Sequence, residues 1–156
     1  NHIYIVQPIL DMCHSDGIHL RDAGGHFASN ISVHGGYIAF SADGEAGIKL
    51  ENNTDHSQVR GAEIIGVEII AYVDVHFDYG ILTSGTYCRN NIICNNKIKN
   101  LATGHNDIYM NGGGSNVIAG NICLSPSPSD NNIYIAAGTG NKIYGNIGTC
   151  NVENAL

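Results

Sequence analysis

The chain has 156 residues, a net charge of −7 and only 13% charged residues, with 20 glycines, 19 asparagines and 22 isoleucines. That length suits a single domain able to bury roughly 68–70% of its unfolded surface, and 43% hydrophobic content excludes a disordered acidic tail. Seven lysines and arginines, scattered singly, argue against nucleic acid, and no apolar run approaches the ~20 residues of a membrane span.

Taken in chain order, the predicted elements are short strands of apolar-polar-apolar pattern that recur in two columns. One column runs Ile5–Leu10, Val33–Ile38, Ile64–Ile69, Ile93–Ile98, Ile118–Cys123 and Ile143–Gly148. The other runs Gly17–Leu20, Gly47–Leu50, Gly80–Thr83, Asp107–Met110 and Asn132–Ile135, its isoleucines spaced by 30, 33, 27 and 25 residues. Gly, Asn, Ser and Asp separate the strands, and no stretch keeps a helical period with caps. A strand-only unit of 25–33 residues cannot bury its apolar edge alone and must stack on the next. The expected fold is therefore all-β: a right-handed parallel β-helix of about five to six coils, in one domain spanning 1–156. The first coil is incomplete and 149–156 is a C-terminal tail.

Two sets of inward residues follow from the pattern: Ile18, Ile48, Ile81, Ile108 and Ile133 in one sheet, Val33, Ile64, Ile93, Ile118 and Ile143 in another. Asn96, Asn121 and Asn146 share one register directly after Asn95, Gly120 and Gly145, which predicts a ladder of stacked amides at a sharp corner. Arg21 and Glu51 share another and are expected to pair across rungs. The first coil starts in mid-pattern at Ile3 with no capping helix and no basic leader. Its open edge is expected to be covered by more of a longer chain or by a partner subunit. Five cysteines without a CxxC pair predict free, mostly buried thiols in a reducing compartment.

Candidate chemistry lies at the strand starts. Glycosidic cleavage needs two carboxyl groups about 5–9.5 Å apart, and neighbouring rungs lie ~4.8 Å apart. Asp16, Glu45, Asp78 and Asp107 are read as one column there, with Asp16 and either Asp78 or Asp107 as the acids. Acidic turn residues that cap loop amides are the competing explanation. His19, Lys49, Tyr109 and Tyr134 form an outward strip suited to binding sugar or a neighbouring subunit. The longest loops, 21–29 and 71–79, are where a site would be elaborated. The eight histidines show neither HExxH nor His-x-His, so neither metal nor cofactor is expected.

The Asp-Gly-Ile strand start at Asp16–Ile18, the Ile-x-Gly/Asn-Asn corners and the short coils resemble the right-handed parallel β-helix superfamily of pectate lyases, polygalacturonases, alginate epimerases and bacteriophage tailspikes. Ser15-Asp16-Gly17-Ile18 is similar to the Asn-Thr-Asp-Gly-Ile start in which the polygalacturonase aspartate is a catalytic acid. His14-Ser15 replaces Asn-Thr, Glu45-Ala46 stands where an Asp-Asp pair is expected, and Val33–Gly36 only partly echoes Gly-His-Gly. Asn53-Thr54-Asp55 is a literal Asn-Thr-Asp, but His56 follows it where glycine belongs. Irregular rungs and free cysteines are closest in style to tailspikes. That resemblance implies a homotrimer in a virion tail, folded in the host cytoplasm, that binds and sometimes cleaves bacterial surface or capsular polysaccharide. Tyr37, Phe40 and Tyr72 would then be outward residues buried between subunits. The alternatives are a free-standing, secreted polysaccharide lyase, glycoside hydrolase or epimerase, and a non-catalytic β-helical shaft. Only Arg21, Lys49 and Arg60 lie near the early rungs as possible lyase bases, which counts against a lyase.

Overall fold

The computed structural model describes residues 2–21, 27–52, 58–72, 74–99, 105–124 and 132–152. The Asn53-Thr54-Asp55 motif, most of the 21–29 loop, and the Ser/Pro run at 125–129 lie outside the described residues. The chain is a parallel β-solenoid. Its strands pair in parallel throughout. Sheet A stacks Ile3–Val6, Ile31–His34, Glu63–Ile65, Ile92–Cys94, Val117–Ala119 and Lys142–Tyr144. Sheet B stacks Ile9–Cys13, Tyr37–Phe40, Glu68–Ala71, Lys97–Lys99 and Ile122–Cys123. Sheet C holds the longer strands Ile18–Arg21, Gly44–Glu51, Phe77–Ser84, Asn106–Gly114, Ile133–Thr139 and Cys150–Val152. Short strands at Phe27–Ser29, Gln58–Arg60 and Cys88–Arg89 continue the wall and join sheet C at Gly114.

About four turns are enclosed by a neighbour on each side, slightly fewer than the five to six coils the repeat implies. The difference lies in the outermost turns, where Ile3, Tyr4, Val6 and Ile9 at one end and Tyr144 and Ile147 at the other stay exposed. Among the described residues no helix is long and apolar enough to cross a membrane.

The interior is the predicted one. Ile48, Ile81, Ile108 and Ile133 stack in exact register and are fully buried, with Ile18 at the edge of the core. Val33, Ile64, Ile93 and Ile118 do the same from sheet A, with Ile143 partly buried against them. Phe40 is a correction. It is fully buried, its ring 5.5 Å from that of Phe77. Strand alternation explains this, since Phe40 lies two residues after the inward Ile38 and shares its face. Tyr72, by contrast, is 40% exposed and donates its hydroxyl to Asp11 Oδ1 at 2.9 Å.

Two corners bound sheet A, and both run through left-handed backbone. One stacks Gly35, Gly66, Asn95, Gly120 and Gly145 at φ of 57–71°, the other Asn30, Gly61, Asn90, Ser115 and Gly140 at 55–69°. Serine gains little from that conformation, unlike glycine or asparagine. Ser115→Gly is therefore expected to raise stability by about 0.5–1 kcal/mol, measured as a higher urea midpoint at unchanged slope.

Directly after these corners stand two asparagine ladders. In the predicted one, Asn96 and Asn121 are buried, and each Oδ1 accepts the backbone N–H one turn earlier: Val67 to Asn96 at 2.9 Å, Asn96 to Asn121 at 3.0 Å, Asn121 to Asn146 at 2.9 Å. Each Nδ2 donates to a sheet A carbonyl, that of Ile64, Ile93 or Ile118. A second ladder of Asn91, Asn116 and Asn141 repeats the Oδ1 contacts at the other corner, with the Nδ2 groups of Asn91 and Asn116 donating to the Val59 and Cys88 carbonyls. The five cysteines are unbridged thiols. Burial pushes the Cys88 thiol up to about 11 and raises Cys123 as well. A thiol reagent is expected to label exposed Cys150 rapidly and Cys88 only on unfolding, as mass spectrometry of timed reactions will show.

Candidate functional site

Sheet C positions the candidate residues, because its strands are the longest and their outward side chains align across turns. His19 pairs with Lys49, Lys49 with Leu82, Leu82 with Tyr109 and Tyr109 with Tyr134. All four predicted strip residues thus share one column, interrupted by a buried leucine. Tyr79 leans in beside it. The Tyr79 and Tyr109 rings stack at 4.9 Å, and Tyr109 and Tyr134 at 5.4 Å, nearly parallel in each case. The rings therefore largely cover one another's faces. What they offer a ligand is a row of phenolic edges rather than stacking platforms.

At the other end of the strip the ionisable groups interlock. Asp16 Oδ1 accepts the Ala46 N–H at 3.1 Å, and its Oδ2 lies 3.3 Å from His19 Nδ1. His19 Nε2 is 2.8 Å from Glu51 Oε2, so the ring bridges two carboxylates and can donate to both only when doubly protonated. Arg21 reaches the same Glu51 oxygen at 3.9 Å, the predicted cross-rung pair in its weakest form. Lys49 Nζ donates to Glu45 Oε1 at 2.7 Å and is well covered. Burial opposes the Lys49 charge, but the hydrogen bond to Glu45 and the charges of Glu45, Glu51 and Asp16 outweigh it and raise its pKa.

Asp16 is the perturbed acid. Burial and the neighbouring Glu45 raise it above its ordinary 3.8, against the opposing pull of Lys49, His19 and the Ala46 N–H. The folded state thus holds this proton more tightly than the unfolded chain does. Asp16 favours the fold at acid pH, and that contribution is lost as pH rises from about 3.8 through the raised value. Asp16→Asn is expected to flatten the stability profile in that interval, as urea titrations at a series of pH values will show.

The four predicted acids do not form one column. Counted back from the aligned isoleucines, Asp16 shares the register of Ala46 and Tyr79, Glu45 shares that of Asp78, and Asp107 follows Gly80. Asp107 is fully buried at the inner corner and accepts from Asn132 Nδ2 at 2.8 Å. Asp78 is half exposed, with its Oδ1 3.3 Å from His105 Nδ1. The acid brought closest to Asp16 electrostatically is Glu45.

A histidine group lies beside these, with His76 and Asp78 from the 71–79 stretch where a site is expected and His105 from the next turn. His76 Nδ1 is 3.0 Å from Asp43 Oδ1, and the His76 and His105 rings stack at 4.6 Å. A shallow concavity lined by His14, Ser15, Asp43, Gly44, Glu45, His76 and Asp78 joins this group to the Glu45 end of the strip. Another concavity lies around Arg89 and Gly112–Gly114, but its lining holds no carboxylate or histidine. Compared with known proteins, the chain matches no family model, no curated protein and no solved structure.

Proposed function

We propose that this chain binds a bacterial surface polysaccharide along the outer face of sheet C, as part of a trimeric phage tailspike or tail fibre. The observation that carries the reading is the shared register of His19, Lys49, Tyr109 and Tyr134, with buried Leu82 in the middle position, across five turns. At ~4.8 Å per rung, four steps span about 19 Å. That is an elongated polar track with tyrosine edges at one end and charged groups at the other, suited to the hydroxyls and acidic substituents of an extended glycan. The test is a binding screen of capsular and O-antigen polysaccharides against the chain and its Tyr109→Ala variant. One glycan should bind, and Tyr109→Ala should weaken it at least about tenfold. Failure of every glycan to bind would refute the reading and leave the shaft alternative. Light scattering coupled to size exclusion tests the assembly, with three copies expected.

A second reading, that the bound glycan is also cleaved, is favoured by Asp16. Its raised pKa and its nearness to Glu45 are what an acid–carboxylate pair requires. Asp16→Asn is then expected to lower cleavage by about 10²–10⁴-fold, the usual contribution of a general acid, while glycan affinity and fold persist. Equal cleavage by both proteins would exclude Asp16 as the acid.

A further inference from the structure

We propose that His76, Asp78 and His105 form a binding site for one divalent transition ion of the zinc, nickel and cobalt class. The three donors come from the starts of two successive sheet C strands and lie within 4.8 Å of one another. His105 Nδ1 and Asp78 Oδ1 are already 3.3 Å apart, close to the roughly 3.3–3.4 Å between two donors bound at about 2.0–2.1 Å on a tetrahedral ion. Closing the third ligand in requires a contraction of at most about 1.5 Å, within reach of side-chain torsions at a partly exposed site.

The surroundings support an ion rather than a set of ion pairs. His76 Nδ1 faces Asp43 Oδ1 at 3.0 Å, so a proton held there leaves Nε2 as the lone-pair donor. A carboxylate behind a ligating imidazole is the usual means of fixing its tautomer and orientation. Asp43 also accepts the His76 backbone N–H at 3.2 Å, which ties that loop to the previous turn. The His76 and His105 rings lie side by side, their centroids 4.6 Å apart, so one ion can take a nitrogen from each. Two imidazoles with one carboxylate select borderline ions over calcium or magnesium, which prefer oxygen. His76 and Asp78 also line the concavity shared with Ser15 and Glu45, from which water or an oxygen-bearing ligand could reach a bound ion.

The test is calorimetric titration of the metal-free full chain with Zn²⁺, repeated with Ni²⁺. One ion per chain is expected to bind, with at least about tenfold weaker binding in Asp78→Asn and in His105→Gln. Substituting His34, remote on sheet A, should leave affinity unchanged. Circular dichroism checks that each variant keeps its β-structure. Should a variant fail to fold, histidine NMR of the unaltered chain decides: Zn²⁺ must shift the His76 and His105 ring signals first. No binding, affinity in both ligand variants unchanged from that of the unaltered chain, or ring shifts confined to other histidines would overturn the proposal.

Discussion

Replacing Asn121 with alanine is expected to destabilise the chain by about 3–4 kcal/mol and lower its melting temperature by roughly 10 °C. The Asn121 side chain makes four hydrogen bonds within a buried corner. Its Oδ1 accepts from Asn96 N and Nδ2, both at 3.0 Å, and its Nδ2 donates to Ile93 O and Asn146 Oδ1, both at 2.9 Å. Alanine removes all four and leaves the Asn96 N–H without a partner where water does not reach, and an unsatisfied buried donor costs more than a lost surface bond. Asn121→Asp probes the same corner differently. It keeps the acceptor but turns a second oxygen toward Ile93 O and Asn146 Oδ1, so at neutral pH it should be no more stable than the alanine variant. Asn146 lies in the outermost turn and is only partly buried, so Asn146→Ala should cost clearly less. A loss below about 1 kcal/mol for Asn121→Ala would mean that the ladder decorates the corner rather than holding it.

The ladder also shows how far the sequence could be read. Asn96, Asn121 and Asn146 were visible because they recur every 25 residues beside aligned isoleucines. Asn91, Asn116 and Asn141 recur at the same interval five residues earlier, and only an alignment centred on the isoleucines hid them. The inward isoleucines were legible for the same reason, since register in a stacked sheet is set by which face is buried. The acids do not share one register, although all four lie at strand starts. Asp16 lies two residues before its isoleucine, Glu45 and Asp78 three, and Asp107 one, and each step along a strand reverses the face. Once register is imposed, these residues fall into three columns, and Asp107 is carried inside. The His76–Asp78–His105 group had no linear signature. His76 and Asp78 come from one turn and His105 from the next, and only the stacking of those turns brings all three together.

The second large effect lies under the same sheet. Gly17, Gly47 and Gly80 stack at the inner start of sheet C, each directly before its core isoleucine. A Cβ at Gly80 would lie 2.4 Å from Ile98 Cγ2 and 2.5 Å from the Asp107 carbonyl oxygen. Gly17 and Gly47 meet Ile38 and Ile69 in the same way. One turn further on, the column changes to Asp107, and the residue in register with Ile98 in sheet B changes to the smaller Cys123. Burial first, and the Asp107 carboxyl after it, raise the Cys123 thiol, in keeping with a shared interior. Side-chain size is therefore traded across the interior, glycine against isoleucine in three turns and aspartate against cysteine in the next. Gly80→Ala should accordingly cost about 3 kcal/mol, since a backbone carbonyl and a packed isoleucine must both yield. Adding Ile98→Val to Gly80→Ala should cost less than the sum of the two single changes, by about 0.5–1 kcal/mol, because the smaller side chain relieves one of the two contacts. Urea unfolding of the four proteins in that cycle measures the coupling. Strict additivity would show that the carbonyl contact alone sets the cost. Because Gly80 adjoins Tyr79 and lies in the strand that carries Asp78, the same variant should also disturb the Tyr79–Tyr109 stack and weaken glycan binding by way of the fold.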